Sequence, residues 1–294
     1  MQKKILIIGG TGFIGYHLAS RCKKLNWKIV SVSTKKPIKK RRLKKVRYKI
    51  FDISIKKNLA NIAKYKYDYV VNLGGYVDHI NKVKTYRAHY LGAKNLFKVF
   101  KNKKLESFIQ IGSSMEYGTK KSPHRENFKC NPKSIYGRPK YLATKFLLGE
   151  YNKNKFPCTI LRLYQAYGPK QDLNRFIPIL IFSCIKDKKF PCSNGNQFRD
   201  FIYVEDVISA IIKSLNSNSS NGEIINVGTG KPKKIKNIIK YVQKKTQGGT
   251  PQFGKIKMRK DEIFKIYPKL EKAKKIIKWK PKVSFTKGLV KTIK

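Results

Sequence analysis

Apolar runs of strand length alternate with amphipathic stretches through the first two-thirds of the chain. KILIIGG (4–10) is short, continuous and rich in β-branched residues, the pattern of a strand buried on both faces. GFIGYHLASRCKKLN follows and places Ile14, Leu18 and Cys22 on one face at helical spacing. WKIVSVS (27–33), VRYKIFD (46–52), YDYVVNLGG (67–75), SFIQIGS (107–113) and CTILRLYQ (158–165) predict further strands, most of them separated by helical segments. Strands that alternate with helices need crossover connections, so the pattern predicts an α/β fold, a Rossmann-type doubly wound parallel sheet.

Beyond residue 168 the alternation loosens. RDFIYVEDVISAIIKSL (199–215) reads as a short strand turning into a helix, and EIINVGTG (223–230) as a strand with a glycine-rich exit. From about 231 the tail carries helical and coil segments, with no internal repeat and no long linker. The expected organisation is a Rossmann domain over 1–167 plus about 199–228, and a smaller α/β C-terminal lobe from 168–198 and 229–294 that holds the substrate.

Composition narrows the class. A chain of 294 residues, 40% hydrophobic, suits a globular protein. No apolar run reaches the roughly 18 residues that a membrane span needs, so no membrane association is expected. MQKK runs straight into ILIIGG with no small-residue cleavage site, so no signal peptide is expected. The five cysteines (Cys22, Cys130, Cys158, Cys184, Cys192) contain no C-x-x-C pair, and the four histidines (His17, His79, His89, His124) show no metal-ligand spacing. Neither a disulfide framework nor a metal site is expected, and a reducing cytoplasm is the expected compartment. His79 follows NLGG and is expected at the surface.

The formal net charge of +52 has the sign of a nucleic-acid binder. It is mostly lysine, however, spread from Lys3 to Lys294, with one dense run at 35–45 (KKPIKKRRLKK). A solvated surface and a compositional bias account for that distribution better than a nucleic-acid function does. The charge also favours anionic ligands.

The strand-to-helix junction ILIIGGTGFIG carries Gly10-x-Gly12-x-x-Gly15 and the overlapping Gly9-x-x-Gly12-x-x-Gly15. The turn needs freedom from Cβ strain, a pyrophosphate needs close backbone approach, and the helix N-terminus offers it unpaired N–H groups. Dinucleotide binding is predicted. At the end of the second strand, where an NAD site places a carboxylate, stand Ser33, Thr34, Lys35 and Lys36. Hydroxyls and ammonium groups suit a 2′-phosphate, so NADP(H) is favoured, with NAD as the alternative. Asp52, before Ile53, is placed to meet the adenine amino group.

Nine pieces then fall in order: GGTGFIG, Asp52-Ile53, NLGG (72–75), IGSSMEYG (111–118), Tyr136-x-x-x-Lys140, LRLYQAYGPKQ (161–171), RDFIYVEDV (199–207), NVGTG (226–230) and Arg259-x-x-Glu262. In this the chain resembles the extended short-chain dehydrogenases/reductases, the NAD(P)-dependent epimerase/dehydratase enzymes that act on nucleotide sugars. The resemblance implies cofactor contacts from Gly9, Gly12, Phe13, Ile14, Gly15, Ser33, Thr34, Lys35, Asp52, Ile53, Leu73, Gly74, Tyr136, Lys140 and Tyr164. The Tyr-x-x-x-Lys spacing itself recurs at Tyr90/Lys94, Tyr117/Lys121, Tyr141/Lys145, Tyr151/Lys155 and Tyr241/Lys245. Only Tyr136/Lys140 lies between the SS-x-x-YG strand end and the LR-x-x-x-x-YGP strand, where the family keeps its catalytic pair.

By the same resemblance Tyr136 exchanges a proton with the sugar. A nearby lysine ammonium and an oxidised nicotinamide favour its phenolate. Lys140 bonds the nicotinamide ribose, and Ser113 bonds the reacting sugar oxygen. Ser114 is the rival for that task, but Ser113 matches the family position four residues before Tyr117-Gly118. Pro139 stands where the family has a small residue, and predicts a local kink or a later helix start. Arg199 and Arg259 match arginines that bond the substrate diphosphate, and Gln165 stands where the family commonly has an Asn at the same task. An ion pair from Arg199 to neighbouring Asp200 is the alternative.

Family 4,6-dehydratases carry Thr-Asp-Glu where this chain has Ser113, Ser114 and Met115. Glu116 is shifted by one and is expected to face away, so dehydration is disfavoured. What remains is reduction of an NDP-4-keto-6-deoxy sugar, or 4-epimerisation by transient oxidation. A non-catalytic RNA-binding relative is the alternative from another class. The resemblance also implies a possible homodimer through residues 86–101 and the Tyr136 helix.

Overall fold

The computed structural model describes residues 2–76, 80–258 and 262–293. Its centre is a seven-stranded sheet formed by β1 (Lys4–Ile8), β2 (Lys28–Ser33), β3 (Val46–Ile50), β4 (Tyr69–Asn72), β5 (Ser107–Ser113), β6 (Cys158–Leu163) and β7 (Ile224–Val227). The spatial order is 7-6-5-4-1-2-3 and every pairing is parallel. The order reverses at β1, which opens a crevice at the carboxyl ends of β1 and β4.

The main helices are α1 (Phe13–Lys24), α2 (Gly92–Phe100), α3 (Gly137–Asn154), α4 (Phe176–Ile185), α5 (Val204–Leu215) and α6 (Ile235–Thr246), of which α1, α2, α3 and α5 cover the sheet. Strand alternation sorts the core. Ile5 and Ile7 point to one face, where Leu18 and Cys22 of α1 meet Val207 and Ile211 of α5. Leu6 and Ile8 point to the other, against Leu96 and Phe97 of α2 and Ala143 and Leu147 of α3. Burial on both faces is why these strands read as unbroken apolar runs. A third cluster joins Leu180 and Ile181 of α4 to Ile238 and Ile239 of α6 and to Leu289.

Two local features matter for the site, the first a departure from the sequence reading. CTILRLYQ is not one strand. The sheet ends at Leu163, Tyr164 turns inward, and Gln165–Tyr167 pairs in parallel with Phe201–Tyr203 in a separate ribbon. Of the two outcomes expected from Pro139 the later helix start is the one observed: α3 begins at Gly137, and Pro139 is its third residue. Backbone N–H groups of a first turn have no intrahelical acceptor, so the missing donor costs nothing there. The entry is fixed by Ser134, whose Oγ accepts the Gly137 N–H at 3.0 Å. Among the described residues no helix is long and apolar enough to cross a membrane.

Candidate functional site

A cleft of about 1100 Å³ runs over the carboxyl ends of the central strands. Its dinucleotide end is built by the glycine turn after β1. Gly9 has φ +75°, a conformation that glycine adopts without strain. A Cβ on Gly15 would stand 2.3 Å from the Gly9 carbonyl oxygen and 2.5 Å from Gly10 Cα, so α1 and the turn touch backbone to backbone. That contact brings the α1 N-terminus, with no acidic residue in its first turn, to the cleft. The cradle fits a pyrophosphate.

Gly9, Gly12, Phe13, Ile14, Gly15, Ser33, Thr34, Asp52, Ile53, Leu73 and Gly74 all line this cleft. Ser33 Oγ accepts the Thr11 N–H at 3.2 Å, which ties the end of β2 to the glycine turn. Asp52 Oδ1 accepts the Ser54 N–H at 2.7 Å. Lys35 is exposed and does not line the cleft; the bond made there is from Thr11 Oγ1 to the Lys35 carbonyl oxygen. Arg41, inside the densest basic run, is buried and turned to the Lys170 carbonyl oxygen (2.9 Å) and to Asp172 (2.8 Å).

Farther along, three side chains from two segments converge. Ser113 ends β5 and lines the cleft together with Tyr136. Lys140 lies one helical turn past Tyr136 with Nζ 6.0 Å from the centre of the phenol ring. Its ammonium donates to the Ile111 carbonyl oxygen at 2.7 Å. Of the six Tyr/Lys pairs, only this one has both members on the cleft wall among the described residues.

Burial sets the electrostatics of the ligand-free site. Loss of hydration pushes the Tyr136 phenol up to about 12, against an opposing pull from Arg175 and the Ser113 hydroxyl. Burial brings Lys140 down to about 8, opposed by Glu116. Before any ligand enters, the site therefore holds a neutral phenol at neutral pH, a proton donor rather than a phenolate.

Ser114, Met115 and Gln165 also line the cleft. Tyr164 borders it, yet its ring is buried and its hydroxyl bonds His124 Nδ1 at 2.9 Å. Arg199 reaches the cleft from the short strand Phe198–Arg199 and pairs with Glu262, not with Asp200. Asp200 points the other way, where it accepts the N–H groups of Thr229 (2.8 Å) and Gly230 (2.6 Å) and braces the glycine-rich exit of β7. Arg259 and His79 lie outside the described residues. Glu116 is fully buried and absent from the cleft wall.

Sequence reasoning missed Arg175, which caps the N-terminal end of α4, together with Arg87 and His89 on the same cleft. His89 sits on a π-helical turn, Arg87–Leu91, and its ring meets Tyr136 edge-on at 5.1 Å. The buried His89 also bonds the Tyr76 carbonyl oxygen at 3.1 Å through Nε2.

A doubly wound sheet with a glycine turn at its first strand and a serine, a phenol and an ammonium farther along the same cleft defines a dinucleotide-dependent enzyme of the short-chain type. The chain belongs to the NAD dependent epimerase/dehydratase family, whose model matches residues 5–228. It is 26% identical over 300 residues to the putative UDP-glucose 4-epimerase of Methanocaldococcus jannaschii, covering 98% of this chain and 97% of that one. It is 27% identical over 331 residues to the CDP-abequose synthase of Salmonella muenchen, covering 100% and 98%. Among solved structures, the UDP-glucuronic acid 4-epimerase of Bacillus cereus, in complex with UDP-glucuronic acid and NAD, is 25% identical with a TM-score of 0.88, covering 99% and 98%. The epimerase Mth375 of Methanothermobacter thermautotrophicus shares the fold at a TM-score of 0.92 and 20% identity, covering 99% and 91%.

Proposed function

We propose that the protein reduces the 4-keto group of an NDP-4-keto-6-deoxy sugar with NADPH. The observation that carries this reading is the chemistry of the cleft beside Ser113. A neutral phenol stands there as proton donor, and the strand end offers Ser114 and Met115 in place of proton-removing carboxylates. Glu116, the one carboxylate of that segment, is withdrawn from the cleft. Full-length similarity to a CDP-abequose synthase fits reduction. Similarity to UDP-sugar 4-epimerases supports a second reading, transient oxidation with return of the hydride.

When bound, the nicotinamide supplies the hydride. The chain's own residues do the rest. Ser113 and Tyr136 hold the sugar carbonyl oxygen between their hydroxyls, and Tyr136 gives its proton to that oxygen as carbon 4 is reduced. Lys140, fixed by Ile111, keeps a positive charge beside the phenolate that forms, and Arg175 adds a second. Arg199, with Gln165 opposite the strand end, receives the diphosphate. Ser33 and Thr34 receive the adenosine 2′-phosphate, and no carboxylate stands at the end of β2 to repel it. A homodimer through α2 and α3 is part of the proposal; the two helices pack side by side, with Phe97 and Phe146 meeting edge-on at 5.4 Å.

The test is net NADPH consumption with dTDP-, CDP- and GDP-4-keto-6-deoxy sugars. A reductase consumes one NADPH per sugar. A 4-epimerase interconverts its sugars with no net change, and RNA binding without turnover on any sugar nucleotide contradicts both readings.

A further inference from the structure

Glu116 is withdrawn from the cleft, yet it touches every segment that builds the reacting set. Its Oε1 accepts the backbone N–H of Ser113 at 2.8 Å. Its Oε2 accepts the hydroxyl of Thr144 at 2.8 Å and Nε–H of Arg162 at 3.0 Å. Ser113 ends β5, Arg162 lies on β6, and Thr144 lies on α3 one turn beyond Lys140, itself one turn beyond Tyr136. The room for the carboxylate comes from Gly112, where a Cβ would stand 2.4 Å from Oε1.

The charges around Glu116 come from every element packed on it. Arg162 and Glu116 form an ion pair with side chains 1% and 0% exposed. Arg162 also lies 4.5 Å over the Tyr117 ring and 3.6 Å from Cys130 Sγ. The carboxylate's field also reaches Lys140 and the Tyr136 phenol at the head of α3. A pair this dry gains little for stability over apolar residues of the same size, so its worth lies in what it positions.

We propose that Glu116 is a positioning residue, which locks the strand end carrying Ser113 against the head of α3, where Tyr136 and Lys140 stand. The proposal rests on the reading that these three residues form the reacting set. Three donors from three elements fix the carboxylate, and a displacement of about 1 Å between Ser113 and Tyr136 is enough to cost roughly 100-fold in rate.

The test uses the full chain and the variant Glu116→Gln, which keeps the shape and removes the charge. Competitive acetylation of Lys140, read by mass spectrometry across pH, follows the ammonium without requiring turnover. The midpoint is expected near 8 in the parent protein and lower in Glu116→Gln, while Glu116→Asp keeps the parental midpoint. Kinetically, Glu116→Gln loses roughly 10- to 100-fold in kcat with KM little changed. Parental kcat in Glu116→Gln overturns the proposal, whatever the Lys140 midpoint does. Should Glu116→Gln fail to fold, Thr144→Val removes only the helix-side bond and leaves the ion pair. Its kcat is expected to fall several-fold at constant KM and constant midpoint, and parental kcat there overturns the clamp. NADPH consumption by the parent, run in parallel, reports separately on the reaction itself.

Discussion

The Nζ of Lys140 donates to the Ile111 carbonyl oxygen at 2.7 Å, so the ammonium is anchored on β5 rather than free at the cleft wall. The bond aims the lysine at the floor of the site beside Tyr136, and burial brings it down to about 8. A base with a lowered value is charged below it and neutral above it. Activity that needs the ammonium is therefore full below about pH 8 and declines as pH rises through it, whereas Tyr136, at about 12, stays protonated over that range. A kcat profile should show this alkaline limb. Lys140→Met should lower kcat by roughly 100-fold or more.

The glycine turn makes a separate prediction. In Gly15→Ala the new methyl meets backbone atoms at 2.3 and 2.5 Å, and these cannot swing away as a side chain can. A loss of about 1–3 kcal/mol in stability is expected from the overpacking. The stabilisation that NADP gives in thermal melts should disappear with it, since the α1 N-terminus is displaced.

Cofactor choice is decided at the end of β2. Thr34 lines the cleft, and Thr34→Asp puts a carboxylate where a 2′-phosphate is proposed to sit. The ratio of kcat/KM for NADPH over NADH should fall by roughly tenfold or more, by like-charge repulsion. A ratio that does not move assigns the 2′-phosphate to another part of the surface.

Much of this was legible in the sequence, and the failures share a cause. The buried strands were readable because burial on both faces imposes one pattern along each of them. The step out of the sheet at Tyr164 was not, because its hydroxyl partner His124 comes from 40 residues away. Arg199 and Asp200 are neighbours in the chain, but Asp200 stands between two short strands and turns to Thr229 and Gly230, so the ion pair offered as the alternative is not made. Glu262, the true partner of Arg199, is 63 residues distant. Glu116 does face away from the cleft as expected. The means is a tight 3-10 turn capped by Ser113 rather than continued strand alternation. Arg175 carried no motif and was found only from its place at the head of α4.

On the substrate side, Arg199→Gln should raise KM for the nucleotide sugar by roughly tenfold, the loss of one charge-assisted contact, and leave kcat within a few-fold. A fall in kcat at constant KM would move Arg199 from substrate binding to the reacting centre.

The proton donor is the centre of the account. The most direct measurement is NADPH consumption by Tyr136→Phe with a 4-keto-6-deoxy sugar nucleotide that the parent reduces, beside thermal melts with NADPH. The account predicts at least a roughly 100-fold loss of kcat with cofactor stabilisation intact. Turnover at the parental rate would contradict it.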